Sequence, residues 1–169
     1  CRSLCDRYGA LLILDDIVTG FRLALGGAAE HYNVRPDIAC YGKAMSNGRG
    51  IAATVSDARI MDLLADKVFF SCTYNGAPYN CAHVIGTLKT LSDTKDELYP
   101  YLWDTGEALR KAMADVGVSL IGHAPRMAMD MPEDERRALC AKVVEQGVVM
   151  DRPFYVTRAH RHWHIMRTA

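Results

Sequence analysis

The sequence has no excess of one sign of charge, since its 20 Lys and Arg balance its 20 Asp and Glu. It carries neither the basic patch nor the acidic tail that would select nucleic acid or a charged membrane surface. No apolar run is long enough to span a bilayer, and no segment resembles a signal peptide. The six cysteines (Cys1, Cys5, Cys40, Cys72, Cys81 and Cys140) form no CxxC pair. That spacing speaks against a structural zinc site and suggests reduced thiols in a cytoplasmic protein. Internal repeats and low-complexity tracts are also missing. What is present is apolar: half of the 169 residues are hydrophobic, enough for one good-sized core, or for one core with a small appendage. The chain opens on Cys1 inside a helical pattern and stops at Ala169 just after Ile165 and Met166 begin another, so it reads as an excerpt of a longer protein.

Along the chain, residues 1–9 have the pattern of an amphipathic helix closed by Gly9. Residues 10–17 form a continuous apolar run, which predicts a fully buried strand in a parallel sheet. A second such run covers 37–42, and the roughly twenty residues between are enough for the crossover that a parallel pair requires. GIAATVS at 50–56 predicts a third strand, followed by a short helix over 57–64 capped by Ser56 or Asp57. After a loop at 71–78, helical patterns run over 79–91 and again over 98–116, with a domain boundary at 92–97. Beyond Gly117 the texture changes to short strands, SLIGH and MAMDM, around a helix at 132–146. The predicted architecture is α/β: residues 1–95 as part of a parallel-rich larger domain, and 96–169 as a small α+β domain cut off in its last helix.

Two apolar runs, LLILDDI and DIACYGK, end in ionisable groups, Asp15 and Lys43. An acid that follows Leu11 to Leu14 is expected to be desolvated, and it stays ionised when a cation such as a protonated pyridine nitrogen is supplied. A desolvated lysine is favoured as the neutral amine, the form that condenses with an aldehyde. One cofactor, pyridoxal 5′-phosphate, would use both. Ligands of open α/β sheets bind at the carboxyl ends of strands, where both residues fall. Ile17 lies two residues beyond Asp15 and shares its face, and Asp16 points away.

Read together, LLILDDIVTGFR, DIACYGKAMSNG and FFSCTYNGAPY resemble the successive signatures of the class III (subgroup II) pyridoxal-phosphate aminotransferases, on the glutamate-1-semialdehyde aminomutase side. The residues that carry the resemblance are Asp15-Asp16, Thr19 to Arg22, Pro36-Asp37, Gly42-Lys43, and Thr73 with Gly76 and Pro78. It continues through Leu25 to Gly27 and through Ala159 to Thr168, and so covers nearly the whole chain. The resemblance implies a fold-type I architecture and an amino-group transfer, or the isomerisation of an amino-aldehyde such as glutamate 1-semialdehyde. It implies Lys43 as the Schiff-base lysine and proton shuttle, Asp15 as the partner of the ring nitrogen, and Ile17 packed against the ring. Thr73 would bind the cofactor phosphate of the neighbouring subunit of a homodimer. The substrate would be a small amine or keto compound. It further implies an enzyme more than twice this length, whose preceding half supplies the phosphate loop and the substrate-selecting segment.

Two positions depart from that pattern. Asp16 stands where glutamate is usual, which predicts a carboxylate too short for its usual partner. SNGRGIAA lacks the usual proline, which predicts a looser lysine loop. Other residues have readings of their own. Arg22 fits a carboxylate clamp and a structural ion pair equally well. His160, His162 and His164 have period-two spacing that would suit a metal on a strand, whereas at a helix start they fan apart, so no metal is assigned. Met127, Met129 and Met131 alternate at strand period as core residues. The competing functions are a class III aminotransferase acting on another amine, keto or amino-sugar substrate, and a non-catalytic remnant that keeps only a dimerisation scaffold.

Overall fold

The computed structural model describes all residues except Phe70, Cys72, Tyr74, Asp151, Arg152 and Ala169, together with the side chain of Asp66. Part of the FFSCTYNGAPY motif therefore lies outside the described residues. The chain divides into two compact units, Cys1–Lys95 and Asp96–Ala169.

In the first unit, helix α1 (Arg2–Tyr8) ends at Gly9, whose left-handed backbone (φ 63°) returns the chain toward the sheet. Strand β1 (Ile13–Asp15) leads through a turn-rich segment and helix α2 (Gly27–His31) to strand β2 (Ile38–Tyr41), which pairs with it in parallel, Ile13 opposite Ile38 and Asp15 opposite Cys40. Strand β3 (Ala53–Ser56) adds to the other side of β2 antiparallel, giving the order β1-β2-β3. Two short helices follow, α3 (Ala58–Met61) and α4 (Leu63–Asp66), the first capped by the Asp57 carboxylate accepting from the Ile60 amide.

The predicted burial of β1 is not seen. Ile13 is 61 % and Leu11 51 % exposed, and only three residues are strand. The reason is topological: β1 is an edge of its sheet and has one described neighbour, so the face of Leu11, Ile13 and Asp15 stays exposed while the face of Leu12, Leu14 and Asp16 is covered.

Helix α5 (Pro78–Asp115) is continuous for 38 residues, where the sequence predicts two helices with a break at 92–97. The polar stretch between them is compatible with helix. Along α5, in that stretch and just before it, Thr87, Thr90 and Thr94 turn their hydroxyls back onto the carbonyls of His83, Gly86 and Thr90. Pro100 lies inside the helix, where its missing N–H leaves the carbonyl of Asp96 without its helical partner.

The second unit is a small α+β assembly. Strands β4 (Leu120–His123), β5 (Arg126–Met129) and β6 (Phe154–Tyr155) form an antiparallel sheet in that order, followed in sequence by helix α7 (His162–Thr168). Helix α6 (Glu133–Glu145) intervenes between β5 and β6. Met127 and Met129 are fully buried, the core role their alternation predicts, beside Val156, Leu120 and Ile165. The guanidinium of Arg110 donates to the carbonyls of Leu120 (2.6 Å) and Gly122 (2.7 Å), tying α5 to β4. One turn earlier, α5 comes so close to the β4–β5 turn that a Cβ on Gly106 would stand 2.1 Å from the Ala124 carbonyl oxygen. The neighbouring atom is backbone and cannot swing aside, so Gly106→Ala is expected to destabilise this unit by at least about 1–3 kcal/mol. Urea unfolding of the variant checks this, and an unchanged midpoint would contradict the packing described.

Candidate cofactor site

The parallel pairing of β1 and β2 is held at both ends. At the entry, the Asp37 carboxylate accepts from the Leu12 amide and from Arg2, each at 2.7 Å. At the exit, the Asp16 amide donates to the Cys40 carbonyl at 2.9 Å, one residue beyond the strand. Between these ties the register admits no slip, and a slip by one residue would turn Asp15 to the other face. Asp15 thus stands at the carboxyl end of β1, and Lys43 emerges just past the carboxyl end of β2.

Lys43 opens a single 3-10 turn (Lys43–Ser46) with φ 42°, in the left-handed region that a side-chain-bearing residue enters at a cost of about 1 kcal/mol or more. Ordered surroundings hold it there. Met45 and Ser46 are buried, the Ser46 hydroxyl donates to the Arg49 carbonyl, and the Asn80 side-chain amide at the start of α5 donates to the Gly50 carbonyl at 3.2 Å. The loop is thus tied at its turn and at its far end. Asn80, buried to 5 % exposure, is a contributor that the sequence does not announce, because a lone asparagine near a helix start reads as a cap.

Of the four expected residues, Asp15 and Ile17 are joined by a hydrogen bond, and Lys43 follows Gly42, which lies against Ile17. Asp15, Cys40 and Thr54 share one face of the sheet by register. Ile17 follows on the same side, close enough that a methyl group at Gly42 would touch its Cγ2 at 3.4 Å. Asp15 accepts one hydrogen bond, from the Ile17 amide at 3.1 Å. Among the described residues no salt bridge engages Asp15 or Lys43, so the carboxylate and the ammonium remain open to a ligand that supplies their partners. Thr73 is exposed in a turn of the 71–77 loop, and among the described residues no hydrogen bond joins it to the other three. The expected desolvation is corrected: Asp15 and Lys43 are both exposed, because strand ends of a thin sheet with one described neighbour on β1 face solvent.

The opposite face carries Asp16, completely buried, with Ala39 and Tyr41. The Asp16 carboxylate accepts from the Thr19 hydroxyl and from the Ala28 amide at 3.0 Å. Burial, and next the Asp16 carboxylate, raise the Tyr41 phenol above its ordinary pKa. A cavity of about 660 Å³ on this face, lined by Arg2, Asp37, Ala39, Tyr41, Val55 and Ser56, is turned away from Asp15 and is not the place where Lys43 emerges.

In the second unit, the His160 and His164 rings meet edge to face with centroids 6.1 Å apart, and among the described residues no three His, Cys, Asp or Glu side chains are grouped to hold a metal. His160 accepts the Thr157 amide on Nδ1 at 2.9 Å, and His164 accepts the Arg161 amide on Nδ1 at 2.8 Å. His164 caps the start of α7, at the position that an N3 glutamate fills in a capping box, and His160 closes the turn before it.

The class-III aminotransferase family matches residues 1–163. The chain belongs to that family. Glutamate-1-semialdehyde 2,1-aminomutase 1 of Cenarchaeum symbiosum is 38% identical over 121 residues, which cover 70% of this chain and 29% of that protein. The glutamate-1-semialdehyde 2,1-aminomutase of Nitrosopumilus maritimus is 44% identical over 103 residues, 60% of this chain and 24% of that protein. Among solved structures, the FumI protein of Sphingopyxis sp. MTA144, described in its PLP internal aldimine form, superposes with a TM-score of 0.85 at 27% identity, over 99% of this chain and 42% of that one. The fold is that of the fold-type I transaminases. The chain spans about a quarter of the length of these curated relatives, at 29% and 24%.

Leu12 and Arg2 both hold Asp37 in its ionised form and lower its pKa from the ordinary value, the backbone bond from Leu12 contributing most. A depressed folded value means that the stabilisation is complete above the ordinary carboxylate range near pH 4 and is lost as the pH falls through the folded value. Asp37→Asn is therefore expected to flatten the acid limb of the stability profile below about pH 4, read by circular dichroism during acid titration. An acid limb identical to that of the parent would contradict the role assigned to Asp37.

Proposed function

We propose that this chain carries the lysine and the ring partner of a pyridoxal 5′-phosphate site, in a protein that transfers amino groups or isomerises an amino-aldehyde such as glutamate 1-semialdehyde. The observation that carries this reading is the placement of Asp15 and Lys43 at the carboxyl ends of adjacent parallel strands, with Ile17 against Gly42 between them. The donor set suits the cofactor: an open carboxylate for a ring N–H, an open amine for an aldehyde, and an apolar side chain for a ring face.

When bound, the cofactor supplies an electron sink for the bond to be broken at the substrate α-carbon. Asp15 would hold the ring nitrogen through its carboxylate, oriented by the Ile17 amide. Ile17 would exclude water from one side of the ring. Lys43 would hold the cofactor covalently through Nζ and, when released by the incoming amine, take and return the proton at the substrate α-carbon, a general acid–base role worth roughly 10²–10⁴ in rate. Thr73 would bind the cofactor phosphate of a second subunit, making the protein a homodimer with its sites at the interface. Residues 1–95 would then be part of the cofactor domain and 96–169 the small domain. The five described cysteines carry free thiols, which fits a cytoplasmic setting. No helix among the described residues is long and apolar enough to cross a membrane.

The aminomutase relatives favour glutamate 1-semialdehyde among possible substrates; a class III reaction on another amine, keto or amino-sugar compound is the alternative. A panel of amino donors and keto acceptors, with glutamate 1-semialdehyde included, distinguishes them by turnover. Lys43→Ala is expected to lower turnover by at least about 10²-fold and to abolish the visible band of the bound cofactor. Wild-type turnover in Lys43→Ala would rule out this assignment of the lysine.

A further inference from the structure

Asp16 uses every polar group it has. Its amide donates to the Cys40 carbonyl, its carbonyl accepts from the Gly20 amide at 2.8 Å, and its carboxylate accepts from the Thr19 hydroxyl and the Ala28 amide. The carboxylate is completely buried, and its partners belong to a turn-rich segment that leaves the end of β1 and comes back to it. That return depends on Gly27, which has φ 67° and lies so near that a Cβ there would stand 2.2 Å from the Asp16 Oδ2. The missing side chain at Gly27 lets the backbone move in far enough for the shorter acid to reach the Ala28 amide.

Asp15, one residue earlier, has the opposite character. It is exposed, and its one described hydrogen bond comes from the Ile17 amide. Consecutive residues of a strand project to opposite faces from one stretch of backbone. The direction of the Asp15 Cα–Cβ bond is therefore set by the peptide units that Asp16 immobilises from the other side.

We propose that Asp16 is a positioning residue: by clamping the segment 19–28 under the end of β1, it fixes the direction in which Asp15 is presented to the cofactor ring. This rests on the reading of Asp15 as the ring-nitrogen partner. Gly27 belongs to the same device, because without it the clamp cannot close on an aspartate.

The test compares the parent with Asp16→Asn and Gly27→Ala, each as the whole chain, by amide hydrogen exchange and by the visible absorbance of added pyridoxal 5′-phosphate across pH. The asparagine side chain is close in size to the aspartate it replaces but presents an NH₂ group where an acceptor is needed. Exchange at Ala28 and also at Ile17 is expected to become about tenfold faster in both variants, with the β2–β3 ladder unchanged, and the pH midpoint of the cofactor band is expected to move. Faster exchange at Ala28 alone, with Ile17 and the midpoint as in the parent, would overturn the proposal and leave Asp16 a purely structural residue. Should Asp16→Asn not fold, Thr19→Val removes one donor and keeps the carboxylate; it is expected to speed exchange at Ile17 by a smaller factor, and no change there overturns the proposal. Absence of any band in the parent would count against the cofactor reading of Asp15, while the exchange comparison still decides whether Asp16 governs its neighbour.

Discussion

The site depends on one register. Asp15 lies opposite Cys40 in a parallel pair, and that single alignment decides which face the carboxylate occupies and how far along the next strand the lysine emerges. Strands repeat every two residues, so the register has no intermediate settings; a wrong one presents the wrong side chain. The chain secures it with charged and polar groups at the strand termini rather than with apolar cover. Asp37 binds the Leu12 amide at one end, and the Asp16 amide binds Cys40 at the other. A pair of three- and four-residue strands has too few ladder bonds to fix its own alignment, and the terminal ties supply the difference.

From that register the two faces take different roles. One face buries Asp16, whose polar groups are answered within the chain, and packs Tyr41 near it. The other leaves Asp15 and Lys43 exposed: the Asp15 carboxylate accepts the Ile17 amide alone, and no salt bridge among the described residues engages either group. An arrangement that buries and satisfies one carboxylate and leaves its neighbour exposed with a single backbone hydrogen bond suits a scaffold built to present a ligand partner. The left-handed backbone at Lys43 fits the same division: local strain is tolerated where buried Ser46 and Asn80 hold the loop on either side.

Much of this was legible in the residues. Continuous apolar runs and the crossover length between them indicate a parallel pair, and the ionisable residue after each run marks the carboxyl ends where ligands bind. The alternating Met127 and Met129 indicate the second core, and Gly9 and Gly147 mark the ends of helices. Less legible were features that depend on what surrounds a segment. LLIL reads as buried because its composition anticipates two covered faces, yet at the edge of this sheet Ile13 is exposed. The desolvation inferred for Asp15 fails for the same reason, and Lys43, past the end of the central strand β2, is exposed as well. The helical patterns over 79–91 and 98–116 read as two helices, whereas α5 runs through 92–97 without a break, and the division into two units falls inside that stretch. The partners of Asp16 could not be foreseen from its length, since they depend on how near Gly27 lets the backbone approach. Thr73 remains identified by motif alone, in a loop only partly described.

That Lys43 carries the cofactor is tested most directly by borohydride reduction of the protein in the presence of pyridoxal 5′-phosphate, followed by peptide mapping. One modified peptide is expected, with the added mass on Lys43. Modification scattered over surface lysines, or confined to a lysine other than Lys43, would contradict it.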